Sequence, residues 1–206
     1  MNETFPSIIA KISGDTDYQR LFRLAFTDGR ISAGNMLRAL TQFMTLMISA
    51  DSKYDKYVRN EPGGEFSPLE LQGKQIFELK CASCHSSDLF TDHSFRNTGL
   101  PINPNINDKG RAEITGDPAD NYKFKVPSLR NVALTAPYFH DGRMGSLMSV
   151  LNFYSHGVQH FDNLDPLLIQ PNGQRGIPLT NEEKQALIAF LNTLTDEKYI
   201  NNPKFR

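Results

Sequence analysis

The chain has 206 residues, 39% of them apolar, which suffices for one ordinary domain with an appendage or for two small ones with a real core. A formal net charge of −1 without a dense Lys/Arg run excludes nucleic acid and anionic membrane surfaces as partners on electrostatic grounds. The most apolar window, Met36 to Ala50, carries Arg38, Thr41 and Gln42 and is too short to cross a bilayer, so no membrane span is expected and the chain should be soluble.

In chain order, Met1-Asn2-Glu3-Thr4-Phe5-Pro6 has neither the basic n-region nor the apolar h-region of a leader. From Ile8 to Tyr57 the pattern is helical. Tyr18, Leu21, Phe22 and Phe26 keep a three-to-four spacing, Asp28-Gly29 breaks it, and Ser32 stands where an N-cap belongs. The following helix carries Met36, Leu37, Leu40, Phe43, Met44 and Met47 as a broad apolar stripe that something must cover. Its methionines read as packing rather than as metal ligands. Glu61-Pro62-Gly63-Gly64 then reads as a linker, which divides the chain into an amino-terminal helical segment, 1–64, and a second domain, 65–206.

Ser67-Pro68-Leu69-Glu70 starts a helix, with serine at the cap, proline in the first turn and a glutamate three positions on. That helix runs into Cys81-Ala82-Ser83-Cys84-His85, which uses both cysteines of the chain. C-x-x-C-H is the signature of covalent c-type haem attachment. Two thiols about one helical turn apart can form thioethers with the two vinyl groups of one porphyrin, and the adjacent imidazole then lies under the iron as proximal ligand. A thioredoxin-like dithiol would need a β-α-β setting that is missing here, and a structural zinc site would need a second close pair of ligands. His93, His140, His156 and His160 are scattered. One haem c per chain is expected.

Asp88 to Gly142 is a long stretch with little regular pattern, rich in Asn, Gly, Pro and Asp, which a cofactor could order by supplying apolar surface. Leu147, Val150, Leu151 and Tyr154 then keep helical spacing, and Thr180-x-x-Glu183 opens a last helix with Leu187, Phe190, Leu191 and Leu194. Gly73 and Phe77 share one face of the first haem-domain helix, so a crossed pair of terminal helices is expected. The fold class is therefore mainly α: a haem domain resembling class I cytochrome c, with long irregular loops, plus the amino-terminal helical segment.

The run Phe124-Lys125-Val126-Pro127-Ser128-Leu129-Arg130-Asn131-Val132-Ala133-Leu134-Thr135-Ala136-Pro137-Tyr138-Phe139-His140-Asp141-Gly142 resembles the signature of bacterial dihaem cytochrome c peroxidases and their MauG-like relatives. Asp17-Tyr18-x-x-Leu21-Phe22, Ser52-Lys53-Tyr54-Asp55-Lys56-Tyr57, Ile114-Thr115-Gly116 and Leu179-Thr180-x-x-Glu183-Lys184 fall in the same order, so the resemblance covers nearly the whole chain.

The resemblance implies a carboxy-terminal electron-transfer haem domain whose amino-terminal peroxidatic domain is missing, with no catalytic residue in this chain. It also implies a periplasmic parent that reduces hydrogen peroxide with electrons from a small donor protein, a cytochrome c or a cupredoxin, and that is commonly a homodimer. The missing domain would cover the Met36–Met47 stripe. The family's peroxidases carry a methionine fourteen residues after the histidine of the Pro137-Tyr138-Phe139-His140-Asp141-Gly142 motif. Here that position is Tyr154, the MauG-like choice, whose phenolate favours ferric and higher states where a thioether raises the potential. Met144 and Met148 stay open as alternative ligands, as do His156 and His160, and the plain alternative for Tyr154 is a half-buried helix aromatic. By resemblance the backbone carbonyls of Thr135 and Pro137 would help bind calcium. Arg130 and Arg143 are candidate partners of the haem propionates, because a guanidinium holds a carboxylate in a fork. His140 is expected to order its own loop by hydrogen bonding. A MauG-like oxidase acting on a protein or small substrate and a stand-alone electron carrier are the competing functions.

Overall fold

The structure is a computed structural model, and residues 3–205 are described; Met1 and Asn2, which enter the leader reading, and Arg206 lie outside them. The chain divides into two compact units, one of residues 1–48 with 203–206 and one of residues 49–202.

The first unit holds α1 (Phe5–Ser13), α2 (Thr16–Ala25) and α3 (Ala33–Thr45). Each opens on a side chain that satisfies an otherwise unpaired backbone N–H: Thr4 for α1, Asp15 for α2 and Ser32, at the expected position, for α3. Asp28-Gly29 breaks the pattern as expected. Gly29 sits at φ +61°, and the Asp28 carboxylate accepts from Arg30 N at 3.1 Å and from Asn35 Nδ2 at 2.9 Å. Phe22 and Asn35 are the buried side chains of these helices. Leu37, Leu40, Phe43 and Met44 on α3, Met47 just past its end, and Leu21 and Leu24 on α2 are exposed.

The second unit runs α4 (Lys53–Val58), α5 (Pro68–Lys80), β1 (Phe95–Arg96), α6 (Ala112–Thr115), β2 (Phe124–Lys125), α7 (Leu147–His156), α8 (Asn181–Asn192) and α9 (Glu197–Ile200). Residues 49–64 belong to this unit, on the far side of the 64/65 boundary expected from the linker. Tyr54 explains why: its ring meets Phe90 edge-on at 4.9 Å and Phe190 at 5.9 Å. Lys53 reaches Glu70 at 2.7 Å.

The crossed pair is present as α5 over α8. A Cβ on Gly73 would lie 1.9 Å from the Ala186 carbonyl oxygen and 2.8 Å from Phe190 Cβ, so only glycine permits this approach. Phe77 and Phe190 meet there with centroids 5.0 Å apart. Phe190 and Leu187 are each 1% exposed, and burying a side chain of this size contributes about 1.5–3 kcal/mol. Capping boxes open both helices, Ser67 with Glu70 and Thr180 with Glu183. Glu183 also takes Lys80 from the last turn of α5 at 2.7 Å, tying the end of one helix to the start of the other.

The irregular stretch is held by polar anchors. The antiparallel pair Phe95↔Lys125 and Arg96↔Phe124 closes it at its base. Thr91 Oγ1, buried, donates to Val126 O at 2.6 Å, Asn97 Nδ2 donates to Asn163 Oδ1 at 2.8 Å, and Arg96 holds Asp92 at 2.6 Å and Asp165 at 2.7 Å. A second apolar cluster, Leu100, Phe153, Val158, Leu164 and Leu168, packs behind α7.

Candidate haem site

Cys81 caps α5, its N–H donating to Phe77 O at 2.8 Å, and Cys84 N and His85 N both return to Cys81 O, at 3.2 and 3.0 Å. The motif is thus one tight turn that displays both thiols and the imidazole together. His85 Nδ1 lies 3.0 Å from Phe90 O. A carbonyl only accepts, so Nδ1 carries the proton in the neutral ring, the tautomer a metal-ligating histidine needs, and the Pro127 carbonyl also bonds to the ring. Burial lowers the His85 pKa, which keeps the ring neutral.

Burial pushes the Cys81 thiol up to about 12 and raises Cys84 as well. Tyr154, projecting from α7 beside Phe139 and Phe153, has its phenol raised first by burial and then by the thiols of Cys84 and Cys81. All four side chains nevertheless keep part of their surface open to water. Tyr154 on α7 is near enough to the C-x-x-C-H turn for the charge of both thiols to act on its phenol. Among the described residues the Tyr154 hydroxyl makes no hydrogen bond and no wholly buried side-chain oxygen or nitrogen lacks a partner, so the phenol oxygen is not wholly enclosed by protein. Two unpaired thiols, a neutral imidazole beside them and a nearby phenol fit a c-type haem.

The other ligand candidates have the following surroundings. Met144 packs with Tyr154 against the second cluster, and its backbone pairs with Tyr138, Tyr138 N donating to Met144 O at 2.7 Å. Met148 is half-buried in the first turn of α7, while His156 and His160 are exposed. His140 stacks on Phe124 at 3.8 Å and, among the described residues, makes no hydrogen bond within its loop, contrary to expectation.

The structure also gives both candidate propionate arginines to aspartates. Arg130 grips Asp55 with two bonds of 2.9 Å, both side chains 9% exposed, and its Nε donates to Asp88 O at 2.8 Å. Asp55, so deeply set, needs a charged partner of its own. Arg143 is held by Asp141 and donates to Pro101 O at 2.7 Å. The arginine whose charge reaches Cys84 is Arg96. Its anchors, Asp92 and Ser94, precede it by four and two residues, a signal the sequence reading passed over. Burial raises the Asp92 carboxyl, and the hydrogen bonds from Arg96 and Ser94 more than reverse this, taking it down to about 2. Thr135 and Pro137 are exposed.

A C-x-x-C-H turn at the end of one helix, a second helix crossing that helix at a glycine, and a third helix that carries an axial-ligand candidate define a class I cytochrome c-like haem domain. Comparison with known proteins gives the family. A family model described as di-haem cytochrome c peroxidase matches residues 1–63. MauG of Methylorubrum extorquens is 32% identical over 96% of this chain and 54% of its own length, and cytochrome c peroxidase Ccp of Escherichia coli is 31% identical over 94% and 39%. The crystal structure of a MauG-like protein associated with microbial copper homeostasis superposes with a TM-score of 0.79 at 34% identity, covering 100% of this chain and 66% of that one. The dihaem peroxidase BthA from Burkholderia thailandensis gives a TM-score of 0.73 at 25% identity, over 97% and 60%. The chain belongs to the dihaem cytochrome c peroxidase and MauG family, and it spans about half the length of the curated relatives it matches.

Proposed function

We propose that this chain is the electron-transfer haem c domain of a dihaem oxidoreductase, working beside an amino-terminal peroxidatic haem domain that it does not itself contain. The observation that carries the reading is a single C-x-x-C-H in a family described as di-haem. Cys81 and Cys84 would hold the porphyrin as thioethers, His85 Nε2 would bind the iron, and Tyr154 would take the sixth position. Bound haem supplies one-electron redox chemistry.

The chain's own residues set the terms of that chemistry. The Phe90 carbonyl orients the imidazole, and the raised pKa of Tyr154 means that only a strong local positive charge will draw its proton off. Phenolate ligation stabilises oxidised iron. Tyr154 therefore favours a MauG-like parent, which holds oxidising equivalents to act on a protein or small substrate, over a peroxidase fed by a small cytochrome or cupredoxin that reduces hydrogen peroxide to water. The parent is periplasmic in either reading, and a homodimer is its expected assembly. The Thr135 and Pro137 carbonyls are proposed to contribute to a calcium site completed by the other domain. Among the described residues no helix is long and apolar enough to cross a membrane.

The test is intact mass together with ferric absorption and EPR spectra of chain matured with haem-attachment machinery. One haem per chain is expected, with a spectrum that changes in Tyr154→Phe and turns to low-spin methionine type in Tyr154→Met. Bare thiols would end the haem reading, and a Tyr154→Phe spectrum identical to that of the parent would end the axial-ligand reading.

A further inference from the structure

We propose that Lys184 is a positioning residue for the axial ligand: through Asn152 its buried side chain fixes the rotation of α7 and so aims Tyr154 at the cysteines, a role that rests on the axial-ligand reading above. Lys184 is 4% exposed in the first turn of α8. Its Nζ donates to Asn152 Oδ1 at 3.0 Å, and among the described residues no carboxylate lies within ion-pair distance of it. The adjacent Glu183 serves the helix cap and Lys80 instead.

This arrangement is a poor way to gain stability. A buried ammonium with one neutral acceptor carries a desolvation penalty that an apolar side chain of the same length would avoid, and the positive end of the α8 dipole adds to it. What the contact does supply is direction. Asn152 and Tyr154 are two positions apart on α7, about 200° around the helix, so a hold on Asn152 from the α8 side turns Tyr154 the opposite way. The end of α7 has a separate mount, Ile177 N donating to Tyr154 O at 2.7 Å. That bond lies roughly along the helix axis and resists sliding more than turning. Lys184 to Asn152 is the polar contact that resists turning, beside the packing of Leu151 and Phe153 in the two apolar clusters.

The experiment compares the haem-loaded chain with Lys184→Met, Lys184→Arg and, as control, Tyr154→Phe, reading ferric absorption and EPR spectra beside the melting temperature. Lys184→Met is expected to melt no lower than the parent yet to lose the tyrosine-ligated spectrum in most of the haem population, approaching Tyr154→Phe, while Lys184→Arg retains it. Should Lys184→Met fail to load haem, the double exchange with Asn152→Leu, apolar on both sides, carries the same test. The proposal falls if Tyr154→Phe changes the spectrum while Lys184→Met, or the double exchange, leaves it as in the parent. A Tyr154→Phe spectrum that does not change removes the axial-ligand reading and this role with it.

Discussion

The two units begin their helices in the same way and bury them differently. α1, α2 and α3 open on Thr4, Asp15 and Ser32, just as α5 and α8 open on Ser67 and Thr180. Yet on α8 Ala186, Leu187 and Phe190 are at most 1% exposed, whereas on α3 Leu40 is 51% and Met44 60% exposed. Caps decide where a helix starts, while the partner laid across its stripe decides how much stability that stripe returns.

The hardest blow to this contrast is at Gly73. Leucine there must displace Ala186 backbone, which cannot yield, so Gly73→Leu is expected to destabilise the second unit by about 3 kcal/mol or more, measured by chemical denaturation followed by circular dichroism. A loss below about 1 kcal/mol would show that α5 and α8 can part without harm. The matched pair comes next. Phe190→Ala is expected to lose about 3–5 kcal/mol through the cavity it leaves, and Phe43→Ala on α3 under about 1 kcal/mol, since Phe43 is 43% exposed and meets Phe205 edge-on at 6.0 Å. Equal losses would erase the distinction between the units.

What could be read beforehand follows the same divide. Local signals were plain: both capping boxes, the Ser32 cap, the Asp28-Gly29 break, the C-x-x-C-H turn and the Gly73 crossing all depend on residues close in sequence or on a shape only glycine allows. The covering of the α3 stripe was not, because exposure is a property of what lies opposite. Arg130 shows the limit most clearly. Its type and place suited a propionate, but its fork closes on Asp55, 75 residues away, a pairing that no local pattern announces. Tyr154 is reached by counting from His140, and only the fold shows that the charge of two cysteines about 70 residues earlier acts on its phenol.

A smaller effect tests the polar anchors of the second unit. Asp92 and Asp55 both have folded pKa values below the ordinary 3.8, in each case because hydrogen bonds from an arginine and a serine outweigh the opposing effect of burial. A depressed carboxylate stabilises the fold above its unfolded pKa and loses that contribution as pH falls through its folded value. The second unit should therefore weaken between about pH 4 and the folded Asp92 value of about 2. Asp92→Asn should flatten that decline by about 1 kcal/mol once solvent screening is allowed for. A pH profile unchanged in this variant would show that Arg96 holds the loop through Asp165 alone.

The least effect belongs on α3, and there a small number says most. Leu40→Gln exchanges an exposed leucine for a good helix former, so denaturation of the chain should shift by no more than about 0.5 kcal/mol. The same exchange made in the longer parent protein should destabilise it by about 2 kcal/mol or more if the stripe is covered there, since a buried leucine loses transfer energy and gains an unpaired amide. Measured side by side, the two values give the burial of Leu40 in each molecule. Equal, near-zero shifts in both would mean that the α3 stripe faces water even in the parent, and the expectation that the peroxidatic domain covers it would have to be abandoned.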